Sequence, residues 1–587
     1  MVTEIELKYS LLETSNTARS TQIKTVISQL LTEHDLTFVH QEKSLSNCYF
    51  DTPDFTLRKN RIALRTRGTK KGAENEHFEQ TIKTSGKVIA GLHQRPEYNV
   101  DINNAKPLLA LFPATIWPNN TDINQLQQQV IELFATNFTR NTWLVTIPNI
   151  QGNTQDNAQI EVAFDCGDIV CSGYQYKEPI HEVELEVVSG PTDALFGLTK
   201  LLFSKLALRP GQLTKAARGY ALYRQSIDTS NICLEKSLPI NTPPELPLIK
   251  LTSNESLKTA LMEGLSTSLT QLQLRVDEYV ATCANEANTS VQNESDALTA
   301  RQITALQKIQ TLLILLRHGF WIFEAELTER DEFIRKELSY FIGKFSWLDK
   351  VLNDQLFSHF LSHSLEKTEI DVVVGMNEAE KSLLEFTLES IITIDDDNDP
   401  YPDSAHTLSL LHSERFNQLQ LSLLMLLLKN EHNSSELQQS NMAIVDFSAA
   451  QLTSYRNAVN SELANLFAKD KPYLITENKS AQVLLNRALL TICWLGSVFT
   501  DSESDIIKTY IAPWLDIKES VNKLQCVVAL ESRLQVMDAK ALLEKPVEIE
   551  HITAWLTSLH DKCIIDLDQA VVNSAGMEPY WPETYCK

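Results

Sequence analysis

The N-terminal stretch of the chain alternates charged and apolar positions with a period of two, which is the period of a β-strand. Glu4, Glu6 and Lys8 fall on one predicted face, and the apolar residues between them fall on the other. The same alternation returns at residues 181–187 with three glutamates on one face, and at residues 62–67 with two arginines. Neighbouring glutamates on one strand face lie roughly 7 Å apart and repel each other by about 2 kcal/mol at an effective dielectric constant of about 20. These charged faces therefore predict a site that holds cations and an anion among them.

Further strands and helices are predicted along the first 227 residues. The predicted strands are two within residues 44–67, followed by 78–83, 93–100, 138–147, 159–165 and 180–188. The predicted helices are one with an apolar stripe over 23–31, then 193–207, 211–227 and, with interruptions at Pro113 and Pro118, residues 105–136. About eight strands at hairpin spacing are typical of a closed antiparallel barrel. The charged faces are too numerous for a packed apolar interior, so one face lines either a water-filled tunnel or bulk solvent.

The apolar pattern of the rest of the chain predicts helices almost throughout. Residues 228–247 contain four prolines and predict a linker. Helical apolar stripes follow at 261–279, 303–327, 333–352, 416–428, 483–499 and 521–543. The predicted fold class is therefore α+β. An eight-stranded antiparallel β tunnel or barrel with flanking helices (1–227) is followed by the linker (228–247) and an all-α helical bundle (248–587).

The net charge of −24 is distributed unevenly along the chain. Residues 1–225 hold 23 Lys and Arg against 24 Asp and Glu, so the helical part carries almost all of the excess. An acidic surface disfavours nucleic acids and anionic membranes, because phosphate contacts need clustered cations. A polyanion is expected to bind only in the N-terminal part, where basic residues are concentrated.

Cellular location is predicted from the cysteines and the apolar runs. The nine cysteines include no C-x-x-C pair, which favours reduced thiols. No basic-then-apolar signal segment opens the sequence, and the most apolar run, residues 421–428, is too short to span a bilayer. We therefore expect a cytoplasmic protein without a nucleic-acid or membrane partner.

The charged strands resemble those of the triphosphate tunnel metalloenzymes, also called the CYTH superfamily. Glu4-x-Glu6-x-Lys8 is similar to the opening motif of that family, and six later motifs arrive in family order. They are Tyr49-Phe50-Asp51-Thr52-Pro53, Ala63-Leu64-Arg65-Thr66-Arg67, Gln80-Thr81-Ile82-Lys83, Gly91-Leu92-His93-Gln94-Arg95-Pro96-Glu97-Tyr98, Glu182-Val183-Glu184-Leu185-Glu186 and Lys215-Ala216-Ala217-Arg218-Gly219-Tyr220. The resemblance favours the tunnel over bulk solvent. It implies hydrolysis of a triphosphate with the help of a divalent metal ion.

The resemblance also implies roles for charged residues of these motifs, and Asp165 and Arg140 are added to them from outside the motifs. The expected metal ligands are Glu4, Glu6, Asp165, Glu182, Glu184 and Glu186. The expected metal is Mg²⁺, which prefers carboxylate oxygens, with Mn²⁺ as an alternative. The expected phosphate ligands are Lys8, Arg65, Arg67, Lys83, Arg95, Arg140, Lys215 and Arg218. Lys8 and Lys83 are the candidate catalytic residues, and sequence leaves open whether Lys8 activates the attacking water or contacts phosphate.

The expected reaction is hydrolysis of inorganic triphosphate to diphosphate and phosphate, as in the bacterial inorganic triphosphatases that the chain resembles. Thiamine triphosphatase and class IV adenylate cyclase use the same kind of tunnel and remain alternatives. A non-catalytic polyphosphate-binding module is a further alternative. The sequence contains no G-x-x-x-x-G-K-[ST] loop, so a P-loop nucleotide site is unsupported.

The helical part resembles a CHAD domain, an all-α fold with conserved histidines that binds polyphosphate. The candidate helices carry few basic residues: Lys308, Arg317, His318 and Arg487. His318 and His412 are interpreted as buried histidines with local partners. We therefore expect a degenerate CHAD domain with a structural role, and polyphosphate stays a weaker candidate partner.

Overall fold

The computed structural model describes most of the chain, and it divides the chain into two compact units. The described residues are 2–12, 17–69, 77–89, 91–119, 121–148, 157–211, 213–227, 247–288, 298–351, 402–432, 443–467, 479–500, 505–536 and 546–582. The first unit contains Met1–Pro243, Leu269–Asp296 and Asp403–Leu428, and the second contains Pro244–Ser268, Ala297–Pro402 and Lys429–Lys587. The predicted linker lies almost entirely outside the described residues, so the predicted domain boundaries stay a prediction.

The first unit is built on one antiparallel sheet that closes into a barrel. Its strands are β1 (Val2–Leu11), β2 (Thr37–Asp51), β3 (Ala63–Thr69), β4 (His77–Lys83), β5 (Lys87–Ile89), β6 (Leu92–Ile102), β7 (Ile131–Ile147), β8 (Ala158–Val170), β9 (Lys177–Ser189) and β10 (Leu208–Pro210). Around the barrel the order is β1-β9-β8-β7-β2-β3-β4-β6, and the β1–β6 pairing closes the ring. The short strands β5 and β10 pair with β6 and β1. The predicted eight-stranded antiparallel barrel is confirmed.

The helices have the following bounds. They are α1 (Thr17–Glu33), α2 (Thr56–Lys59), α3 (Ile123–Gln129), α4 (Asp193–Phe203), α5 (Lys215–Ile227), α6 (Leu257–Asn288), α7 (Ala300–Ile322), α8 (Glu332–Lys344), α9 (Ser404–Leu411), α10 (Glu414–His432), α11 (Ile444–Phe467), α12 (Lys479–Leu495), α13 (Asp505–Val536) and α14 (Pro546–Ala575). The predicted helical character of the C-terminal part is confirmed over its described residues.

The outer face of the barrel is apolar and is covered by helices. On β1, the ring of Tyr9 packs edge-on against Phe203 of α4 at 5.2 Å between centroids. On β7, Trp143 is fully buried, and its indole N–H donates to Ser28 Oγ on α1 at 3.0 Å. Since side chains alternate along a strand, this outer packing leaves the charged residues of β1 on the inner face.

Residues 105–136 differ from the prediction, because most of this segment is not helical. It contains two short 3₁₀ turns, Leu109–Leu111 and Ala114–Ile116, and the short helix α3, and β7 already begins at Ile131. Proline lacks a backbone N–H and disrupts a helix interior, which explains the interruptions at Pro113 and Pro118. The carboxylate of Asp122 caps α3 by accepting from Asn124 N at 2.9 Å, so the helix starts only after these prolines.

Two helical segments from later in the chain belong to the first unit. Asn417 of α10 donates its side-chain amide to Leu208 O of β10 at 2.6 Å. Arg209 of β10 forms an ion pair with Asp277 of α6. The unit that holds the barrel therefore includes parts of α6 and α10 as well as the N-terminal residues.

The second unit is helical and packs around Trp494 of α12. This indole is fully buried and donates a hydrogen bond to Leu315 O of α7 at 2.9 Å. A Cβ atom at Gly264 or at Gly319 would lie about 2 Å from the same ring, so glycine is required at both close approaches. By length and composition, Ala481–Phe499 is the one described segment apolar enough to cross a membrane, and 61% of it is buried inside the protein. Such burial is typical of a core helix.

Candidate active site

The charged faces of β1, β7, β8 and β9 meet on the inner wall of the barrel. In the strand register, Lys8 lies opposite Glu184, Glu182 lies opposite Asp165, and Asp165 lies opposite Arg140. Cross-strand partners share a face of the sheet, so these side chains point into the same space. The register therefore gathers three carboxylates and two cations from four strands.

Lys215, at the start of α5, adds an ammonium group to this cluster. Its Nζ lies 2.7 Å from Asp165 Oδ2 and 3.0 Å from Glu184 Oε1, and it also donates to Glu182. Lys8 Nζ lies 2.5 Å from Glu184 Oε1 and 3.5 Å from Glu182 Oε1. Two buried ammonium groups therefore share the same carboxylates.

Two arginines complete the cluster. Arg140 binds Asp165 with two hydrogen bonds, Nε to Oδ1 at 2.7 Å and Nη2 to Oδ2 at 2.6 Å. Arg218 Nη1 lies 3.4 Å from Glu182 Oε2, and Arg218 Nη2 lies 2.9 Å from Glu178 Oε1. Arg140 contacts Asp165 in a bidentate geometry, and a guanidinium group also binds phosphate in this geometry.

Electrostatics keep this buried cluster ionised. Burial alone would raise the pKa of Glu184, but Lys215, Lys8 and Arg140 outweigh it and hold that pKa well below its usual value. Burial likewise opposes the charge of Asp165, yet Arg140 and Lys215 lower its pKa. Burial would lower the pKa of Lys8, but Glu182 and Glu184 raise it above the usual value for lysine. At neutral pH Asp165 and Glu184 are therefore anionic and Lys8 is a cation.

The carboxylates of Asp165, Glu182 and Glu184 are arranged so that they could hold a metal ion. One oxygen from each lies within 4.8 Å of the others, and all three residues are buried. Hard oxygen ligands of this kind suit Mg²⁺ and Mn²⁺. The residues present therefore fit a divalent cation, although in this structure the same oxygens bind ammonium and guanidinium groups.

Cations dominate the wall formed by β3, β4 and β6. Lys83 Nζ lies 3.1 Å from Glu97 Oε2, and Arg65 Nη2 lies 3.6 Å from Glu97 Oε1. Arg95 Nη2 lies 3.0 Å from Glu6 Oε1, which links this wall to β1. Burial alone would raise the pKa of Glu6, but Lys8, together with Lys83 and Arg95, lowers it to about 2.

Arg67 lies in a part of the tunnel wall where two other arginines, Arg65 and Arg140, act on it. Its Nε donates to Asn47 Oδ1 at 2.7 Å. Burial lowers its pKa to about 9, and the charges of Arg65 and Arg140 act in the same direction. A bound anion would relieve this repulsion, so the arginines of β3 and β7 form a candidate phosphate site.

Most of the predicted site residues are brought together on this inner wall. They are Glu6, Lys8, Arg65, Arg67, Lys83, Arg95, Arg140, Asp165, Glu182, Glu184, Lys215 and Arg218. Glu186 lies on the same face, opposite Glu6 and Glu161 in register, but is not one of the three converging carboxylates. Only the backbone of Glu4 is described, and it pairs with Arg95.

Two features of the site were not predicted from the sequence. Asp51 is fully buried and accepts hydrogen bonds from Leu57 N at 2.8 Å, Arg58 N at 3.0 Å and the hydroxyl of Tyr220 at 2.9 Å. This contact ties α5 to β2 and so positions Lys215. The other feature is His93, which lies opposite Glu6 in register and whose pKa is lowered to about 4 by burial and by Arg95. His93 precedes Arg95 by two residues on β6, so the alternation that places Arg95 on the inner face could also have placed His93 there.

Comparison with known proteins gives a match to the N-terminal part of the chain. Residues 3–220 match the family model of the CYTH domain. The inorganic triphosphatase of Haemophilus influenzae is 35% identical over 228 residues, which are 38% of this chain and 55% of that protein. The chain therefore spans about half the length of this curated relative.

Solved structures add distant likenesses. A proposed adenylyl cyclase from Hippeastrum, described as having a dominant triphosphatase activity, is 15% identical with a TM-score of 0.25 and covers 38% of this chain and 96% of its own. The CHAD domain from the plant Ricinus communis is 12% identical with a TM-score of 0.33 and covers 58% of this chain and 98% of its own. Similarity at these scores carries no argument, so the CHAD-like assignment of the helical part stays a prediction.

Proposed function

We propose that this chain, whose residues 3–220 match the family model of the CYTH domain, hydrolyses inorganic triphosphate to diphosphate and phosphate inside its barrel. The observation that supports this most is the arrangement of charge on the inner wall. Three carboxylates converge on β8 and β9, while burial lowers the pKa of Arg67 and the nearby charges of Arg65 and Arg140 act in the same direction. A divalent cation would bind to the carboxylates, and a polyanion would bind to the arginines. The similarity to an inorganic triphosphatase supports the same substrate.

The proposed metal ligands are Asp165, Glu182 and Glu184, with Glu4, Glu6 and Glu186 on the same inner face or strand. The proposed metal is Mg²⁺, with Mn²⁺ as an alternative. When bound, the metal neutralises charge on phosphate oxygens and orients them for displacement.

The cations of the tunnel are the proposed ligands of the phosphate chain. Lys8, Arg140 and Lys215 bind carboxylates in this structure, and phosphate oxygens are alternative partners for the same groups. Arg65, Arg67, Lys83, Arg95 and Arg218 supply the remaining proposed contacts. Because its pKa is raised by Glu182 and Glu184, Lys8 is protonated at neutral pH. We therefore assign Lys8 to charge stabilisation and positioning rather than to removal of a proton from water.

In the proposed reaction, a water oxygen attacks a terminal phosphorus atom and the bond from that atom to its bridging oxygen breaks. Diphosphate leaves with the bridging oxygen, phosphate carries the water oxygen, and one proton is released. Lys83 and Lys8, which both act electrostatically on Glu6, are proposed to stabilise charge during this step.

The test is an assay of phosphate release from tripolyphosphate, ATP and thiamine triphosphate, with and without Mg²⁺. We expect tripolyphosphate to give the highest kcat/KM and expect chelation of the metal to abolish turnover. Preference for thiamine triphosphate, or cyclisation of ATP, would instead indicate one of the two alternative enzymes. Binding without any turnover would indicate a non-catalytic module, which the convergent carboxylates disfavour because they repel a polyanion.

A further inference from the structure

His93 occupies a place on the inner wall of the barrel to which the proposed reaction assigns no role. It lies on β6 opposite Glu6, two residues before Arg95 and four before Glu97. These three residues of β6 have the same parity, so they share the face that points into the tunnel. His93 is therefore placed among the groups that the proposed function assigns to metal and phosphate.

Both ring nitrogens of His93 are buried and lack a hydrogen-bond partner within the described part of the chain. The residue is only 3% exposed. Buried polar atoms are almost always hydrogen-bonded, because an unpaired one loses its contact with water without compensation. Packing alone therefore does not account for a histidine at this position, since an apolar side chain would fill the space without that cost.

Other histidines in the described part of the chain, two of them buried and one exposed, have local partners. His318 contacts Thr491 Oγ1 at 3.0 Å, and the Nδ1 of His412 lies 2.7 Å from Leu408 O. His40, on the outer face of β2, contacts Asn141 Oδ1 at 3.2 Å and lies against the ring of Trp143. His93 differs from these three because neither of its nitrogens is satisfied by the protein.

We infer that His93 is a further substrate-binding residue, whose ring N–H donates a hydrogen bond to a non-bridging oxygen of the phosphate chain. The inference rests on the proposed function for the identity of the anion. Glu6, Lys8, Arg95 and Glu184 act electrostatically on the ring, so His93 lies among the groups proposed to bind metal and phosphate. An imidazole adds a directional donor at a point where the wall already carries full charges of both signs.

The test compares two variants of the full-length protein, His93→Leu and His93→Gln, with His40→Gln as the matched control. Tripolyphosphate binding is measured by calorimetry without divalent metal, and kcat and KM are measured with Mg²⁺. Thermal unfolding without ligand is recorded for each variant. We expect His93→Leu to weaken tripolyphosphate binding by about tenfold or more, which is the range for a hydrogen bond to a charged group. His93→Gln, which keeps a donor, should recover part of this loss, and the control should bind like the wild type.

Thermal unfolding separates binding from a structural role. If His93 serves the ligand, His93→Leu should unfold at the same temperature as the wild type or higher, because it removes two unpaired polar atoms. An affinity and KM within twofold of wild type in His93→Leu would overturn the inference, and a loss of binding that only mirrors a loss of stability would do so too. Wild-type protein that binds tripolyphosphate without hydrolysing it would refute the proposed function, yet the same binding series would still decide the role of His93.

Discussion

Arg140 of β7 and Asp165 of β8 lie opposite each other and form a bidentate ion pair, with N–O distances of 2.7 Å and 2.6 Å. One of these residues is a proposed phosphate ligand and the other a proposed metal ligand. The tunnel therefore pairs charges of its own wall, and binding of a metal ion and phosphate must exchange such internal pairs for new ones. This exchange is the basis of the first two predictions.

Glu6→Gln should nearly abolish tripolyphosphate hydrolysis while the fold stays intact. Glu6 points into the tunnel and binds Arg95 at 3.0 Å, and an amide cannot supply the negative charge of a metal ligand. Glu4→Gln is expected to have the same effect. Steady-state turnover and circular dichroism provide the measurement. Glu42→Gln is the control, since Glu42 is an exposed residue of β2 that forms an ion pair with Lys24 and is not a proposed site residue. Retention of more than about a tenth of wild-type turnover, a barrier change of roughly 1.4 kcal/mol, would refute the metal assignment.

Lys215→Met should destabilise the protein, and Mg²⁺ should restore much of the loss. The substitution leaves Asp165, Glu182 and Glu184 short of one shared cation, and breaking a buried ion pair costs about 3–5 kcal/mol. A divalent ion among the same oxygens replaces the missing charge. Urea unfolding with and without Mg²⁺ measures this, and equal stabilisation of variant and wild type by Mg²⁺ would contradict a metal site at these three carboxylates.

Acid should weaken the fold as pH falls below about 4.5. The pKa of Glu6 is about 2 in the folded protein against an ordinary value of 4.5, so its stabilising contribution is complete above 4.5 and is lost as pH falls towards 2. This difference corresponds to about 3 kcal/mol. The free energy of unfolding of Glu6→Gln should therefore depend less steeply on pH between 5 and 3 than that of the wild type. Parallel pH profiles from urea titrations would contradict the assigned ionisation of Glu6.

The sequence was sufficient to place much of the site because strand parity is independent of tertiary detail. A period of two put Glu6 and Lys8 on one face of β1, and Glu182 and Glu184 on one face of β9, as the structure has them. The partners of these residues depend on strand register, which a single sequence does not define. It was therefore not possible to predict the bidentate contact of Arg140 with Asp165 or the placement of His93 opposite Glu6.

The start of β7 was missed for a local reason. The pairing of β2 with β7 shifts register between Tyr49 and Phe50, and the adjacent residues Leu133 and Phe134 are both buried. Two consecutive buried residues break the alternation that identifies a strand. Residues 131–136 therefore matched a helical pattern in sequence although they extend the strand that carries Arg140.

A chain that ends at Ser226 should still hydrolyse tripolyphosphate but should unfold at a lower temperature than the full-length protein. All proposed site residues precede Ser226, whereas Leu7 and Tyr9 share a small cavity with Leu421 and Leu424 of α10. Removing α10 exposes this apolar face and also removes the hydrogen bond from Asn417 to Leu208 O.

Turnover and thermal unfolding of the truncated chain provide this measurement. Asn417→Ala in the full-length chain serves as a milder version of the same loss, with full turnover and a smaller drop in unfolding temperature. A folded truncation without activity would show that the helical segments of the first unit complete the active site.

The helical region should contribute little to polyphosphate binding, even though two of its arginines lie close together. Arg317 and Arg487 both act on His318, whose pKa is lowered to about 3 by burial and by these two charges. The guanidinium of Arg487 also lies 4.8 Å above the ring of Trp321. Two guanidinium groups are few for a polyanion, since each phosphate contact needs its own cation and the surrounding field is repulsive.

Binding of labelled long-chain polyphosphate to full-length variants at physiological salt tests this expectation. Arg317→Gln/Arg487→Gln should change the affinity by less than twofold, as should the control Lys336→Gln/Lys523→Gln, which removes two lysines that pair with glutamates one helical turn away. Arg67→Gln/Arg95→Gln, in the tunnel, should reduce the affinity at least tenfold. A tenfold loss in the Arg317/Arg487 variant, together with a steep dependence of wild-type affinity on salt, would mean that this pair forms the core of a polyphosphate receptor in the helical unit.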